Sequence, residues 1–356
     1  MSVDALRGFD MFWICGGRDV FLALVGLIVR DQPGWLKFHM GHVEWVGFSA
    51  WDLIMPLFLF IVGVSMPFSF AKRRDAGQST GRVYLKIVRR VLILWILGMA
   101  AQGHLLEARL SKMHFYSNTL QAIASGYLVA SILLLHISVL GQFLVMLALL
   151  LGYGVVMVWV PIPGHGAGII EPQVNLARYV DEIILGPYRD GTTYTWILSS
   201  MGFAGTVLLG VMAGHLLRSP KTPGVKMLSL VGAGVGCLIL GRLWGTGFPI
   251  IKHIWSSSMV LWAGGWSLLL LALFYGLIDV VGWRRWSFPF VVLGMNAIVA
   301  YMAPRIVNFR TIGDTLVAGL AQHVGRFGEP LRALAAFMVL WLILLYMYRK
   351  KTFIRV

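Results

Sequence analysis

The chain has 356 residues, of which 58% are hydrophobic and only 13% charged, with a mean hydropathy of +0.78 and a formal net charge of +15. A soluble protein of this size cannot hide so much apolar surface, and so few charges cannot keep it dispersed in water. Soluble enzymes and soluble binding modules are excluded, and no polar segment is long enough to form a separate domain. The chain therefore reads as an all-α polytopic membrane protein, one bundle over residues 1–356.

A helix needs about 20 apolar residues to cross about 30 Å of hydrocarbon. By that measure the predicted spans, in chain order, are 8–29, 46–70, 87–103, 117–136, 139–160, 194–217, 225–244, 254–281, 287–307 and 330–348. Asp4, Arg7 and Asp10 interrupt the start, and no small-residue cleavage site follows a compact apolar core, so the first helix is expected to stay rather than to be removed. The inner loop 72–90 carries Lys72, Arg73, Arg74, Arg82, Lys86, Arg89 and Arg90. Short loops rich in Lys and Arg remain cytoplasmic. With ten spans both termini then lie inside, together with Arg218, Lys221, Lys226, Arg284, Arg285 and the tail residues Arg349, Lys350, Lys351 and Arg355. Clustered at inner helix ends, these bases are a topology signal satisfied by anionic lipid headgroups and not a nucleic-acid footprint. The outer loop 161–193, rich in Pro and Gly with acids and aromatics, suits an ordered loop that either caps a pocket or only connects. The loop 308–329 reads as a surface excursion or a second cap.

Ionisable and amide side chains at membrane depth are expensive and mark functional sites or interhelical hydrogen bonds. In the first helix Asp10, Trp13 and Gly17 fall at i, i+3 and i+7, followed by Arg18 and Asp19. In the second, Asp52 shares a face with Pro56, Gly63 and Pro67, a seam of small or backbone-bending residues on which a buried carboxylate needs a partner. Asn118, Gln121 and Ser125 share a face of the fourth. Lys252, Trp255 and Ser256 fall at i, i+3 and i+4 in the eighth, and the ninth contributes Asn296. The glycines between Gly202 and Gly236, such as Gly210 with Gly214, read as packing devices. His42 stands at the mouth of the second span beside His39 and Glu44. Cys15 and Cys237 support neither a disulfide framework nor a metal site, and GxSxG, GxxxxGK[ST] and HExxH motifs are all missing. ATP-driven pumps and metalloproteases drop out, and a membrane-embedded enzyme and a carrier both remain.

Six blocks narrow the choice. SVDALRGFDMFWICGG, HVEWVGFSAWDLIMPLFLFIVGVSMPFS, SNTLQAIASGYL, GTVLLGVMAGHLLRS, FPIIKHIWSSSMVLWAGG and LGMNAIVAYM, in that order over residues 2–302, resemble the successive blocks of the heparan-α-glucosaminide N-acetyltransferase family and its bacterial relatives. The resemblance implies a multi-pass enzyme of the bacterial cell membrane that takes acetyl from cytoplasmic acetyl-CoA, with no metal, and acetylates the amino group of a terminal glucosamine at the opposite face. It also implies a possible homodimer and a chain without the large luminal domain of the animal members. The family's active histidine stands three positions before a Trp that precedes a Gly two positions on, which implies His42 with Trp45 and Gly47 and excludes His39. Animal members carry an Asn near the outer end of the first helix; this chain has CGGRD there, with Arg18 nearest, which leaves the acceptor open.

On that footing His42 is the general base or an acetyl carrier, with Asp52 or Glu44 orienting it. Acceptor contacts are expected from Asp10, Arg18, Glu44, Trp45, Asn118, Gln121, Lys252, Trp255 and Asn296, with Trp51 and Tyr301 as further aromatics for a pyranose face. The anionic end of CoA is expected at Arg7, Lys86, Arg89, Arg90 or Arg284. An amino-sugar transporter and an acyltransferase of cell-envelope glycans are the alternatives.

Overall fold

A lipid-facing segment finds no water to satisfy its backbone, so the apolar runs fold as helices that satisfy their own N–H and C=O groups. A computed structural model describes residues 1–29, 31–103, 105, 109 and 112–354, and Arg355 of the basic tail lies outside them. Among the described residues the helices are, in chain order, α1 (Ser2–Phe12), α2 (Arg18–Ile28), α3 (Gly34–His39), α4 (Ile54–Asp75), α5 (Thr80–Ala100), α6 (Thr119–His136), α7 (Val139–Trp159) and α8 (Leu176–Leu185). They continue with α9 (Ser200–Arg218), α10 (Pro223–Trp244), α11 (Ser257–Tyr275), α12 (Phe288–Met295), α13 (Ala297–Ile306), α14 (Phe309–His323) and α15 (Gly328–Arg349), and no strand forms.

Each of the ten predicted runs contains helix. Among the described residues eight helices are long and apolar enough to cross a membrane, and a ninth crossing forms if α12 and α13, bent by 65° at Asn296, count as one. The chain is an all-α polytopic membrane protein. The run at 87–103 falls short of the same measure because its helix starts at Thr80 and holds Arg82, Lys86, Arg89 and Arg90 in its first half.

Two compact units divide the chain. The first holds Met1–His42, Ser49–Ile54 and everything from Leu273 on, and the second holds Val43–Phe48 and Met55–Ala272. In the first unit α1 lies against α12, and α15 packs on α14, α2 and α12. Gly8 and Gly294 make the α1–α12 approach possible: a Cβ on Gly8 would stand 1.6 Å from the Phe290 carbonyl oxygen, and one on Gly294 would stand 2.0 Å from that of Asp4. The α1–α2 junction is a wide turn at Trp13–Gly17 with Gly16 at φ 111°, so Gly17 does not continue the face of Asp10 and Trp13. The predicted excursion 308–329 is mostly α14, packed along α15 with Gly313 against the Ala336 backbone.

In the second unit α9 is central, packed against α6, α7 and α10. It also meets α4, where Gly63 faces the Val207 carbonyl and Gly210 faces that of Phe60, each Cβ position 2.0 Å from the oxygen. Gly214 lies against Val64 and Pro67, so the seam of small and bending residues on α4 faces another helix, as expected for packing devices.

Candidate active site

His42 and Asp52 are ten residues apart, and a turn brings their side chains together. His42 Nδ1 lies 2.7 Å from Asp52 Oδ1; the histidine side chain is 50% exposed and the aspartate 2%. An ionised Asp52 would only accept, which would put the proton on Nδ1 and leave Nε2 as the basic nitrogen.

Local sequence explains the geometry. Ser49-Ala-Trp-Asp52 forms the reciprocal pattern of a capping box at the start of the second span: Asp52 Oδ2 accepts the Ser49 N–H at 3.1 Å, and Ser49 Oγ accepts the Asp52 N–H at 3.2 Å. The Ser49 hydroxyl hydrogen is shared between Oδ2 at 3.0 Å and the Gly41 carbonyl oxygen at 2.6 Å. That last contact fixes the backbone just before His42 to the helix start that presents Asp52. His39 Nδ1 accepts the Ala50 N–H at 3.2 Å, which anchors the same turn. Asp52 therefore caps a helix with one oxygen and orients an imidazole with the other.

Trp51, in the short 3-10 turn Trp51–Leu53, extends the cluster. Its ring stands 6.4 Å from that of His42, and the Arg18 guanidinium lies over it at 4.9 Å. Arg18 Nε is buried without a hydrogen-bond partner among the described residues. The structure thus gathers His42, Asp52, Arg18 and Trp51 within the first unit, together with Ser49, which helical spacing did not single out. The S-x-x-D pattern was the available signal.

The other expected residues are placed elsewhere. Asp10 is buried, both carboxylate oxygens without a hydrogen-bond partner among the described residues. Asn118 is the N-cap of α6 and accepts the Leu120 N–H. The helix therefore starts after it, and Asn118 and Gln121 do not share a helical face. Gln121 is held by the Phe115 carbonyl and the Ser117 N–H. Asn296 accepts the Ile354 N–H and donates to the Thr352 carbonyl, tying down the C-terminal segment at the break between α12 and α13. Lys252 and Trp255 precede α11, which begins only at Ser257, so the i, i+3 reading of Lys252, Trp255 and Ser256 fails. Trp255 adopts φ 52°, a left-handed conformation that ends any continuous helix there, and its Nε1–H donates to Thr206. Both side chains are buried.

In the second unit Glu44 is exposed. Trp45 donates to the Ile170 carbonyl at 3.0 Å and packs edge-on against His253, which itself stacks on Tyr194 at 4.1 Å. The loop 161–193 is ordered around it: Asn175 caps α8, and Asp181 accepts the Trp196 and Ile197 N–H groups at 2.7 and 2.9 Å. Burial pushes the Asp181 carboxyl up to about 6 against the pull of those two amides. In the first unit Asn308 and Arg310 line a cavity of about 420 Å³ together with Cys15, Asp19 and Arg305. Of the bases expected to meet CoA, Arg7 pairs with Asp4, Lys86 donates to Gln78, Arg284 donates to the Ile278 carbonyl, Arg89 is exposed, and Arg90 lies over the Tyr127 ring at 4.3 Å.

No family model matches the chain. It is 25% identical to heparan-alpha-glucosaminide N-acetyltransferase of Mus musculus over 392 residues, covering 93% of this chain and 58% of that protein. It is 24% identical to heparan-alpha-glucosaminide N-acetyltransferase of Homo sapiens over 413 residues, covering 99% of this chain and 59% of that protein. The chain thus spans under three-fifths of the length of the curated relatives it matches.

Proposed function

We propose that this chain, a distant relative of the two mammalian enzymes, is a multi-pass membrane N-acetyltransferase that moves acetyl from cytoplasmic acetyl-CoA to the amino group of glucosamine or a terminal glucosamine-type sugar at the outer face. The carrying observation is the half-exposed His42 held at 2.7 Å by a buried, doubly bonded Asp52 at the start of a crossing helix. The basic 72–90 segment supports cytoplasmic termini and a donor arriving from that side.

The chemistry asks little more than a positioned base. Acetyl-CoA is already an activated thioester, so the sugar amine attacks its carbonyl carbon while His42 Nε2 takes the amine proton as the C–N bond forms. The tetrahedral oxyanion collapses, the C–S bond breaks, and the departing CoA sulfur takes the proton back from the imidazolium as free thiol. Asp52 stabilises that imidazolium through Nδ1–H. Arg18 and Trp51 stand where an acceptor would approach the ring, the indole suited to a pyranose face and the guanidinium to its hydroxyls.

The test is release of CoA thiol and formation of N-acetylated sugar when the purified chain meets acetyl-CoA and a panel of amino sugars and envelope glycans. His42→Ala is expected to lower kcat by about 10³-fold. An alanine variant with full acetylating rate overturns the reading, and sugar movement without thiol release marks a carrier. Labelled acetyl-protein trapped after acetyl-CoA alone would replace the base by a covalent acetyl-histidine.

A further inference from the structure

The far end of α4 carries a second polar cluster, entirely within the second unit. A cavity of about 300 Å³ opens where the C-terminal ends of α4, α6 and α9 meet the first turn of α5. Arg73, Arg74, His215 and Arg218 line it with Thr80, and none of its lining residues is acidic. Asp75, the acid nearest in sequence, is exposed.

Three observations make this a site for a phosphate-bearing anion. First, no ion pair joins these arginines among the described residues: Arg73 Nη1 is buried without a hydrogen-bond partner there, and its guanidinium lies over the Phe70 ring at 5.2 Å in cation–π contact. Second, Arg90 of α5 lies over the Tyr127 ring with its Nε buried and without a hydrogen-bond partner among the described residues, and the charge of Arg73 acts on it. Like charges held together at a partly buried position are costly unless an anion joins them. Third, α5 begins beside the cavity at Thr80, and the Ser79 side chain caps none of its first N–H groups. A helix N-terminus of 21 residues thus adds its dipole and free donors to three guanidiniums, a donor set that matches phosphate oxygens.

We propose that this cavity binds the phosphates of the CoA donor's nucleotide end. The assignment rests on the proposed acetyl-CoA chemistry, which requires a polyanionic substrate on the side where the basic 72–90 segment lies. It moves the donor contact from Arg7, Lys86, Arg89, Arg90 and Arg284 to Arg73, Arg74 and Arg218, with His215 alongside. A phosphate also heads every anionic lipid, so the test must separate the two sources.

Equilibrium binding of CoA and of adenosine 3′,5′-bisphosphate to the full-length chain in neutral detergent reads the site without turnover. Arg73→Ala and Arg218→Ala are expected to weaken both ligands at least about tenfold. Arg73→Lys, which keeps charge but loses the fork, falls between, and Lys221→Ala, an exposed base outside the cavity, leaves affinity unchanged. A monodisperse elution profile checks that each variant is folded. CoA affinity indifferent to Arg73 and Arg218 overturns the proposal. So does a pattern in which the variants keep CoA affinity and lose only the thermal stabilisation given by phosphatidylglycerol in mixed nanodiscs, which makes the cavity a lipid site. Arg73-dependent CoA binding without acetyl transfer to any amine would leave this site standing and sink the transferase reading; His42-dependent turnover with unaltered CoA affinity in the arginine variants does the reverse.

Discussion

The two ends of the span Trp51–Asp75 carry polar groups in opposite condition. At its start the Asp52 carboxylate is bonded at both oxygens, to His42, to the Ser49 amide and to the Ser49 hydroxyl. At its finish Arg73 keeps a buried nitrogen without a hydrogen-bond partner among the described residues, as does Arg90 of α5. A network completed within the protein fixes a ring for proton transfer, since preorganisation removes reorganisation from the barrier. A cluster of one sign, by contrast, is completed only by a ligand. On the proposed chemistry one end acts and the other holds.

Substitutions break or sharpen that contrast. The largest effect belongs to His42→Ala, which should cost about 10³-fold in kcat yet spare CoA affinity, because the ring belongs to the acting end alone. Asp52→Asn should lower kcat about 10²-fold, since the amide removes the charge that favours the imidazolium, again with donor affinity kept. A parental kcat in Asp52→Asn would separate Asp52 from the chemistry. Ser49→Ala should reduce the rate less than tenfold and lower unfolding stability by about 1 kcal/mol, the usual worth of a helix cap, measured by thermal denaturation in detergent.

The smallest effect tests a position outside both ends. The folded Asp181 carboxyl holds its proton up to about pH 6, against an ordinary value of 3.8, so folding binds protons in that interval. Its contribution to stability is complete below the ordinary value and lost as pH rises through about 6. Asp181→Asn should flatten the fall in melting temperature between pH 4 and pH 7 and leave kcat unchanged; an equal slope in both proteins would remove Asp181 as its source.

The helices were readable because apolar length is a strong signal: every predicted run contains helix, and errors fall where local chemistry intervenes. The bend at Asn296 interrupts an unbroken apolar stretch through backbone geometry and ties to residues more than fifty positions away, which no periodicity registers. Asn118 caps α6 and Trp255 adopts a left-handed backbone before α11, so spacing arguments that assumed helix at both positions could not hold. His42 stood out by its place at the mouth of the second span, and the family blocks gave it a role. Its partner was visible as a carboxylate at membrane depth, but the pairing crosses a turn, where 3.6-residue spacing carries no information. The cavity at the other end was hidden among bases that all read alike as topology signals; burial and missing partners are what distinguish Arg73 from Arg89.

The capping pattern at Ser49–Asp52 has an evolutionary corollary. Residue 52 must both begin a crossing helix and steer an imidazole, and few side chains satisfy both demands: asparagine and serine can start helices but carry no charge for the ring, whereas glutamate has the charge on a longer arm. Drift at this position is confined by two unrelated requirements at once: asparagine would keep the entry into the membrane and give up the charge beside the ring, whereas glutamate would keep the charge and shift it away from both partners.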